Sequence, residues 1–262
     1  MLSHAFQNPE EYKRHSDLQY QFAHMMIKET ILRPDYKILD IGTGDGRIAR
    51  DMADFVPKGK VIGTDISKAM ILIATKDHVP HKNNNLDFMI MSAEANIFFN
   101  QFDIVTSFCC LHWIKDQLSA LIGIKNALIP DGKTVLLVPL RHEELYVSIE
   151  TTMALSKWKS YFLYFTNPHI FFTYDQYLLL LNQAKLNIQS LEETIMEYSF
   201  TNKTEMELFL KAWLPHMQFL PEKKHNEFLS DIGDNFLQIV PPHNGTVLMP
   251  LKMLKVRATK QN

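Results

Sequence analysis

The stretch Ile38 to Ile48, ILDIGTGDGRI, constrains the fold of this chain more than any other. Ile38, Leu39 and Ile41 form an apolar run of the kind covered on both faces of a parallel sheet. Asp40 lies near its end, and Gly42, Gly44 and Gly46 follow at alternate positions, with Thr43 between the first two. Glycine permits backbone angles and a closeness of approach that a Cβ blocks. Arg47 to Phe55 reads as the next helix, so strand, glycine turn and helix together make a cradle against which a nucleotide can lie.

Asp40 separates the two common ligands of such a turn. The dinucleotide fingerprint spaces its glycines G-x-G-x-x-G and seats a pyrophosphate on the helix N-terminus, which a carboxylate at the strand tip would repel. Here the spacing is G-x-G-x-G. An acid at that place suits a ligand with a positive end, and S-adenosylmethionine carries both an ammonium and a sulfonium. Val61 to Ser67, VIGTDIS, is a second apolar strand, ending at Asp65. An acid about 20 residues beyond the glycines can accept hydrogen bonds from both ribose hydroxyls, which serves NAD and S-adenosylmethionine alike. A helix N-cap or turn residue before Lys68 to Lys76 is the plain structural alternative for Asp65. Ile66 and Met70 are placed to sandwich an adenine, or simply to fill core.

These segments resemble the first two motifs of the class I S-adenosylmethionine-dependent methyltransferases, and further matches follow in that family's order. Leu86 to Glu94, LDFMIMSAE, resembles its third strand and acidic loop, which implies Ala93 and Glu94 near the adenine. Phe102 to Asp116, FDIVTSFCCLHWIKD, resembles the fourth strand, with Phe108 at the cofactor, and the substrate-facing loop. Leu128 to Leu140, LIPDGKTVLLVPL, resembles the fifth, with Asp131 in place of a customary glycine. The likeness is strongest to small-molecule carboxyl methyltransferases of the juvenile hormone acid type. It rests on Tyr12, Leu18 and Gln19, on Ser107, Phe108, Leu111, His112, Trp113 and Asp116, and on Lys157 with Trp158. Trans-aconitate and malonyl-acyl carrier protein methyltransferases are similar at greater distance. The resemblance implies a Rossmann-like α/β fold, a seven-stranded, mostly parallel sheet with an antiparallel last strand, helices on both faces and a helical cap.

Along the chain this gives a single domain over 1–262. N-terminal cap helices occupy 1–33, with a helical pattern over Glu10 to Thr30, and a cofactor-binding half spans 34–140. Cap insertions are expected at 141–172 and 201–243. The stretches 173–200 and 244–262 complete the sheet, with a helix starting at the capping residue Thr173 and strands over Ile188 to Phe200 and Gly245 to Thr259. Helices are expected over Glu205 to His216 and Glu222 to Val240.

Composition excludes several classes. With 27 basic against 29 acidic residues and no basic run, nucleic acid is a poor partner. The only cysteines, Cys109 and Cys110, are adjacent, which disfavours a structural disulfide and fits a reducing, cytoplasmic setting. No apolar run is long enough to span a bilayer and no leader pattern is present. No carboxylate cluster for Mg²⁺ stands out, so metal independence is expected.

Methyl transfer from a sulfonium asks mainly for alignment and exclusion of water. A carboxylate acceptor needs only donors, whereas a hydroxyl or amine gains from a base. His112 serves either way. Trp113 offers an indole donor, and Gln19 an amide for the acceptor or the methionine carboxylate. Trp113 as core packing and His112 as an ordinary loop histidine are the structural alternatives. Aromatic and methionine content at Tyr146, Met153, Trp158, Tyr161, Phe162, Tyr164, Phe165, Phe171 and Phe172 points to an apolar pocket. The leading expectation is O-methylation of a small, apolar carboxylic acid, free or on an acyl carrier. The alternatives are a methyltransferase acting on another small-molecule O or N acceptor with His112 as base, an NAD-dependent oxidoreductase and a non-catalytic cofactor-binding protein.

Overall fold

The apolar runs of the central strands are buried on both faces of the sheet, while the edge strands are partly exposed. In the computed structural model, which describes residues 16–260, the strands are β1 (Lys37–Ile41), β2 (Lys60–Asp65), β3 (Leu86–Ile90), β4 (Phe102–Phe108), β5 (Leu128–Pro139), β6 (Leu186–Phe200) and β7 (Val247–Lys260). They form one sheet in the order β3-β2-β1-β4-β5-β7-β6. β1 is parallel to β2 and β4, β3 to β2, and β5 to β4, while β7 runs antiparallel to β5 with Leu136 opposite Val256. The expected architecture of a mostly parallel sheet with an antiparallel closing strand is observed.

The helices are α1 (Asp17–Lys28), α2 (Arg47–Phe55), α3 (Lys68–His78), α4 (Gln117–Ala127), α5 (Glu143–Ala154), α6 (Tyr174–Gln183), α7 (Lys203–Trp213) and α8 (His225–Ile239). Strand alternation divides the core. Leu39 and Ile41 face one side with Val105, Leu121, Ile124, Leu136 and Val256, whereas Ile38 faces the other with Ala49, Met52, Val61 and Ile104.

By compactness the chain falls into two units, one of Asp17–Leu140, His169–Thr194 and the stretch from Met253, the other of Ser16, Arg141–Pro168 and Ile195–Lys252. In the second, Trp158 is wholly buried, donates from Nε1 to Asp231 Oδ2 at 2.5 Å and meets Phe228 edge-on. Lys157 pairs with the same Asp231. Both residues are therefore engaged in holding this unit together, and Phe162 and Tyr146 are buried with them. Tyr164, by contrast, is 90% exposed.

Local chemistry sets the boundaries. Thr173 caps α6 in a full capping box with Gln176. Asp131 takes φ +63, a left-handed conformation that a short polar side chain tolerates. The helix expected to reach His216 stops at Trp213, because Pro215 cannot continue it, and a 3₁₀ turn (Pro215–Phe219) follows. Similarly, α8 begins only at His225 after a 3₁₀ turn at Glu222–Lys224. The expected helical pattern before residue 16, and Tyr12 with it, lies outside the described residues.

Candidate active site

The sheet order reverses between β1 and β4: the chain moves outward from β1 to β3 and then returns to β4 on the other side. Such a switch point opens a crevice at the carboxyl ends of the two strands. It brings the turn after β1 and the loop after β4 side by side.

All three glycines of the turn have positive φ, +73 at Gly42, +57 at Gly44 and +80 at Gly46. The space beside two of them is already filled by the protein itself. A Cβ on Gly42 would stand 2.2 Å from Cys110 Sγ, and one on Gly46 would stand 2.6 Å from the Phe88 ring and 2.8 Å from Ala74 Cβ. These two glycines admit neighbouring side chains as well as the backbone angles of the turn.

Asp40 is 3% exposed. Thr106 donates from Oγ1 to Asp40 Oδ1 at 2.7 Å, across the β1–β4 pairing that sets Asp40 opposite Thr106. Desolvation pushes the Asp40 carboxyl up to about 6; the Thr106 and Thr43 hydroxyls pull it down, and the charge of Asp65 adds a smaller upward push. Asp65 is also buried. It accepts from Ser67 N at 2.8 Å and from Gly44 N at 3.1 Å, so it ties the glycine turn to the tip of β2. Burial raises its carboxyl, against the pull of those backbone donors. The N-cap of α3 is Ser67, whose side chain accepts from Met70 N, so Asp65 is not the cap, while its bond from Ser67 N two residues on is that of a turn residue. Ile66 is half exposed beside it, whereas Met70 is wholly buried. Met70 is core and has no face to offer an adenine.

The acidic loop after β3 is a 3₁₀ turn (Ala93–Ala95) capped by Ser92. Ala93 is buried, and Glu94 Oε1 accepts from Asp116 N at 3.1 Å, joining this loop to the end of the one after β4. Phe108, partly buried, packs on the α2 side of the sheet.

Beyond β4, Cys109 adopts φ +51 and a 3₁₀ turn (Leu111–Trp113) carries His112 and Trp113. His112 is 8% exposed and its ring lies flat on Phe171, 5.9 Å between centroids at 14°. Burial pushes Cys109 up to about 12 and Cys110 further, which keeps both thiols protonated and inert.

Helix α1 is held to the glycine turn by Arg47, which donates to Asp45 at 2.9 Å and Asp17 at 2.8 Å beneath the Tyr20 ring. Gln19 follows on the same helix, and its Oε1 is buried without a hydrogen-bond partner among the described residues. A buried acceptor without a partner, on the helix that Asp17 and Tyr20 join to Arg47, fits a donor-bearing ligand such as an ammonium.

Sequence reasoning singled out Asp40, Asp65, His112 and Trp113, and counted Phe171 among the aromatics of an apolar pocket, but it did not single out Thr106 or His169, which the sheet order and the loop after β5 bring to the same neighbourhood. Among the described residues, no group of three or more His, Cys, Asp or Glu side chains is arranged to hold a metal, and no helix is long and apolar enough to cross a membrane.

Comparison with known proteins agrees with this geometry. Residues 32–200 match the family model described as a methyltransferase domain. Among relatives, a juvenile hormone acid O-methyltransferase of Drosophila melanogaster is 26% identical over 85% of this chain and 80% of its own. The YcgJ protein of Bacillus subtilis superposes with a TM-score of 0.67 at 17% identity, covering 93% of this chain and 99% of that one. A phosphoethanolamine N-methyltransferase of Haemonchus contortus, solved with S-adenosyl-L-methionine, superposes at 0.60 with 17% identity, covering 93% of this chain and 53% of that one.

Proposed function

The chain belongs to the methyltransferase domain family, and we propose that it uses S-adenosylmethionine to methylate the carboxylate of a small, largely apolar acid, free or borne on an acyl carrier. When bound, S-adenosylmethionine would supply an activated methyl group for the acceptor oxygen, the electron pair of the broken bond remaining on sulfur.

The observation that carries this reading is the state of the carboxylates around the crevice. Asp40 is engaged by Thr106, Asp65 by Ser67 and Gly44, Glu94 by Asp116 N, and Asp116 by Ser119. Each already accepts a hydrogen bond from the protein, which suits an acceptor that arrives ionised and needs only donors; a hydroxyl or amine acceptor would instead call on His112 as base. His112 and Trp113 would orient one acceptor oxygen as donors, and Gln19 would hold the acceptor or the methionine end of the cofactor.

For the cofactor, the remaining lone pairs of Asp65 would accept the ribose hydroxyls. The turn Gly42, Thr43, Gly44, Gly46 would face the methionine portion, and Ile66, Ala93, Glu94 and Phe108 would border the adenosine. Asp40, buried in a low dielectric, would act on a sulfonium more strongly than the same charge in water. The name of the Drosophila relative, which specifies an acid as its acceptor, supports the carboxylate class.

The test is incubation with methyl-labelled S-adenosylmethionine and a panel of fatty, isoprenoid and aromatic acids, with a tricarboxylate and matching alcohols and amines alongside. A base-labile labelled ester on an apolar acid is the expected product. Label appearing only on alcohols or amines, or on none of the panel, contradicts the proposal.

A further inference from the structure

We propose that His169 is a positioning residue for the acceptor site, its ring fixing the indole of Trp113 while the segment it begins fixes the turn that carries His112. This inference rests on the reading of Trp113 and His112 as acceptor-orienting groups.

Three consecutive residues engage that turn. The His169 ring meets the Trp113 ring edge-on, with centroids 4.0 Å apart at 80°, and lies 5.1 Å from the His112 ring. Ile170 donates its N–H to His112 O at 2.7 Å and its carbonyl accepts from Gln117 Nε2 at 2.9 Å. Phe171 stacks on His112. His169 and Gln117 are 5% and 1% exposed, so these two side chains are withdrawn from water.

The need for such a clamp follows from side-chain mechanics. The outer torsion of an indole or imidazole is broad and roughly two-fold, so the backbone of a short 3₁₀ turn cannot by itself choose which way the N–H points. A second ring packed nearly perpendicular against the indole makes that choice. Burial holds the His169 imidazole down to about 3, so it stays uncharged at working pH and acts through shape. Nothing local in the sequence joins residue 169 to residue 113; the loop after β5 and α5 returns it.

The test compares His169→Ala and His169→Phe with the wild-type enzyme on an accepted acid, and reads tryptophan emission in each. The alanine variant is expected to lose about tenfold to hundredfold in kcat with KM for S-adenosylmethionine within about twofold, and the phenylalanine variant to recover to within about threefold. Both substitutions should change tryptophan emission, and the change should vanish on a Trp113→Phe background. Full kcat in the alanine variant, a phenylalanine variant as slow as alanine, or emission that does not respond overturns the proposal. If alanine prevents folding, the phenylalanine variant and the emission decide. Emission needs no acceptor, so a wild-type enzyme that esterifies no acid refutes the carboxylate reading separately from the clamp.

Discussion

Asp40 is the residue whose burial has the largest thermodynamic signature. Its folded pKa of about 6 lies above the ordinary 3.8, so between pH 4 and 6 the native state binds the proton that the unfolded chain releases. Stability therefore falls as pH rises through that window, by about 3 kcal/mol in total. Asp40→Asn, which keeps an acceptor for Thr106, should gain about that much on wild type between pH 4 and pH 7 in urea titrations. His169 works in the opposite sense, since its folded pKa of about 3 lies below the ordinary 6.5. The unfolded chain takes up that proton first, so the wild type loses about 1.4 kcal/mol per pH unit on acidification from 6.5 towards 4. The stability difference between His169→Phe and wild type should shift towards the variant over the same range. At the proposed site, Asp65→Ala should weaken cofactor binding in titration calorimetry. Trp113→Ala should lower turnover by about 100-fold with little change in cofactor affinity.

The glycine turn is an element whose sequence pattern and packing agree. Gly46→Ala would combine a positive φ with contacts to Phe88 and Ala74 that are too close. A loss of about 2–4 kcal/mol in unfolding free energy is expected, with loss of cofactor binding. Elements defined by local rules were legible from the sequence. The bounds of α2 follow from glycine and an amphipathic run, and α6 begins at its capping threonine as anticipated. Elements ending at competing signals were less so, as where Pro215 converts the last turn of an expected helix into 3₁₀. The site divides in the same way. Asp40 and Asp65 stand at strand ends, where a motif announces them. Cys110 beneath Gly42 and Thr106 against Asp40 depend on β1 pairing with β4, and His169 reaches Trp113 only through a long return of the chain. Such contacts leave no periodicity to read.

For the molecule as a whole, the strand order concentrates chemistry at one place. The reversal between β1 and β4 sets an acid, a glycine turn and a donor-bearing loop around a single crevice. The other compact unit holds its aromatic side chains largely in its own interior, around Trp158, Phe162 and Phe228. The account depends above all on the charge at the end of β1 favouring a positively charged sulfur. Titration calorimetry of S-adenosylmethionine and S-adenosylhomocysteine, which differ at that sulfur, isolates this effect in wild type and Asp40→Asn at pH 7.5 and 5. The account predicts that wild type favours the sulfonium over the thioether at pH 7.5, and that the preference drops by about tenfold in Asp40→Asn and weakens in wild type at pH 5 as Asp40 protonates. A preference that is the same in both proteins and at both pH values would contradict it.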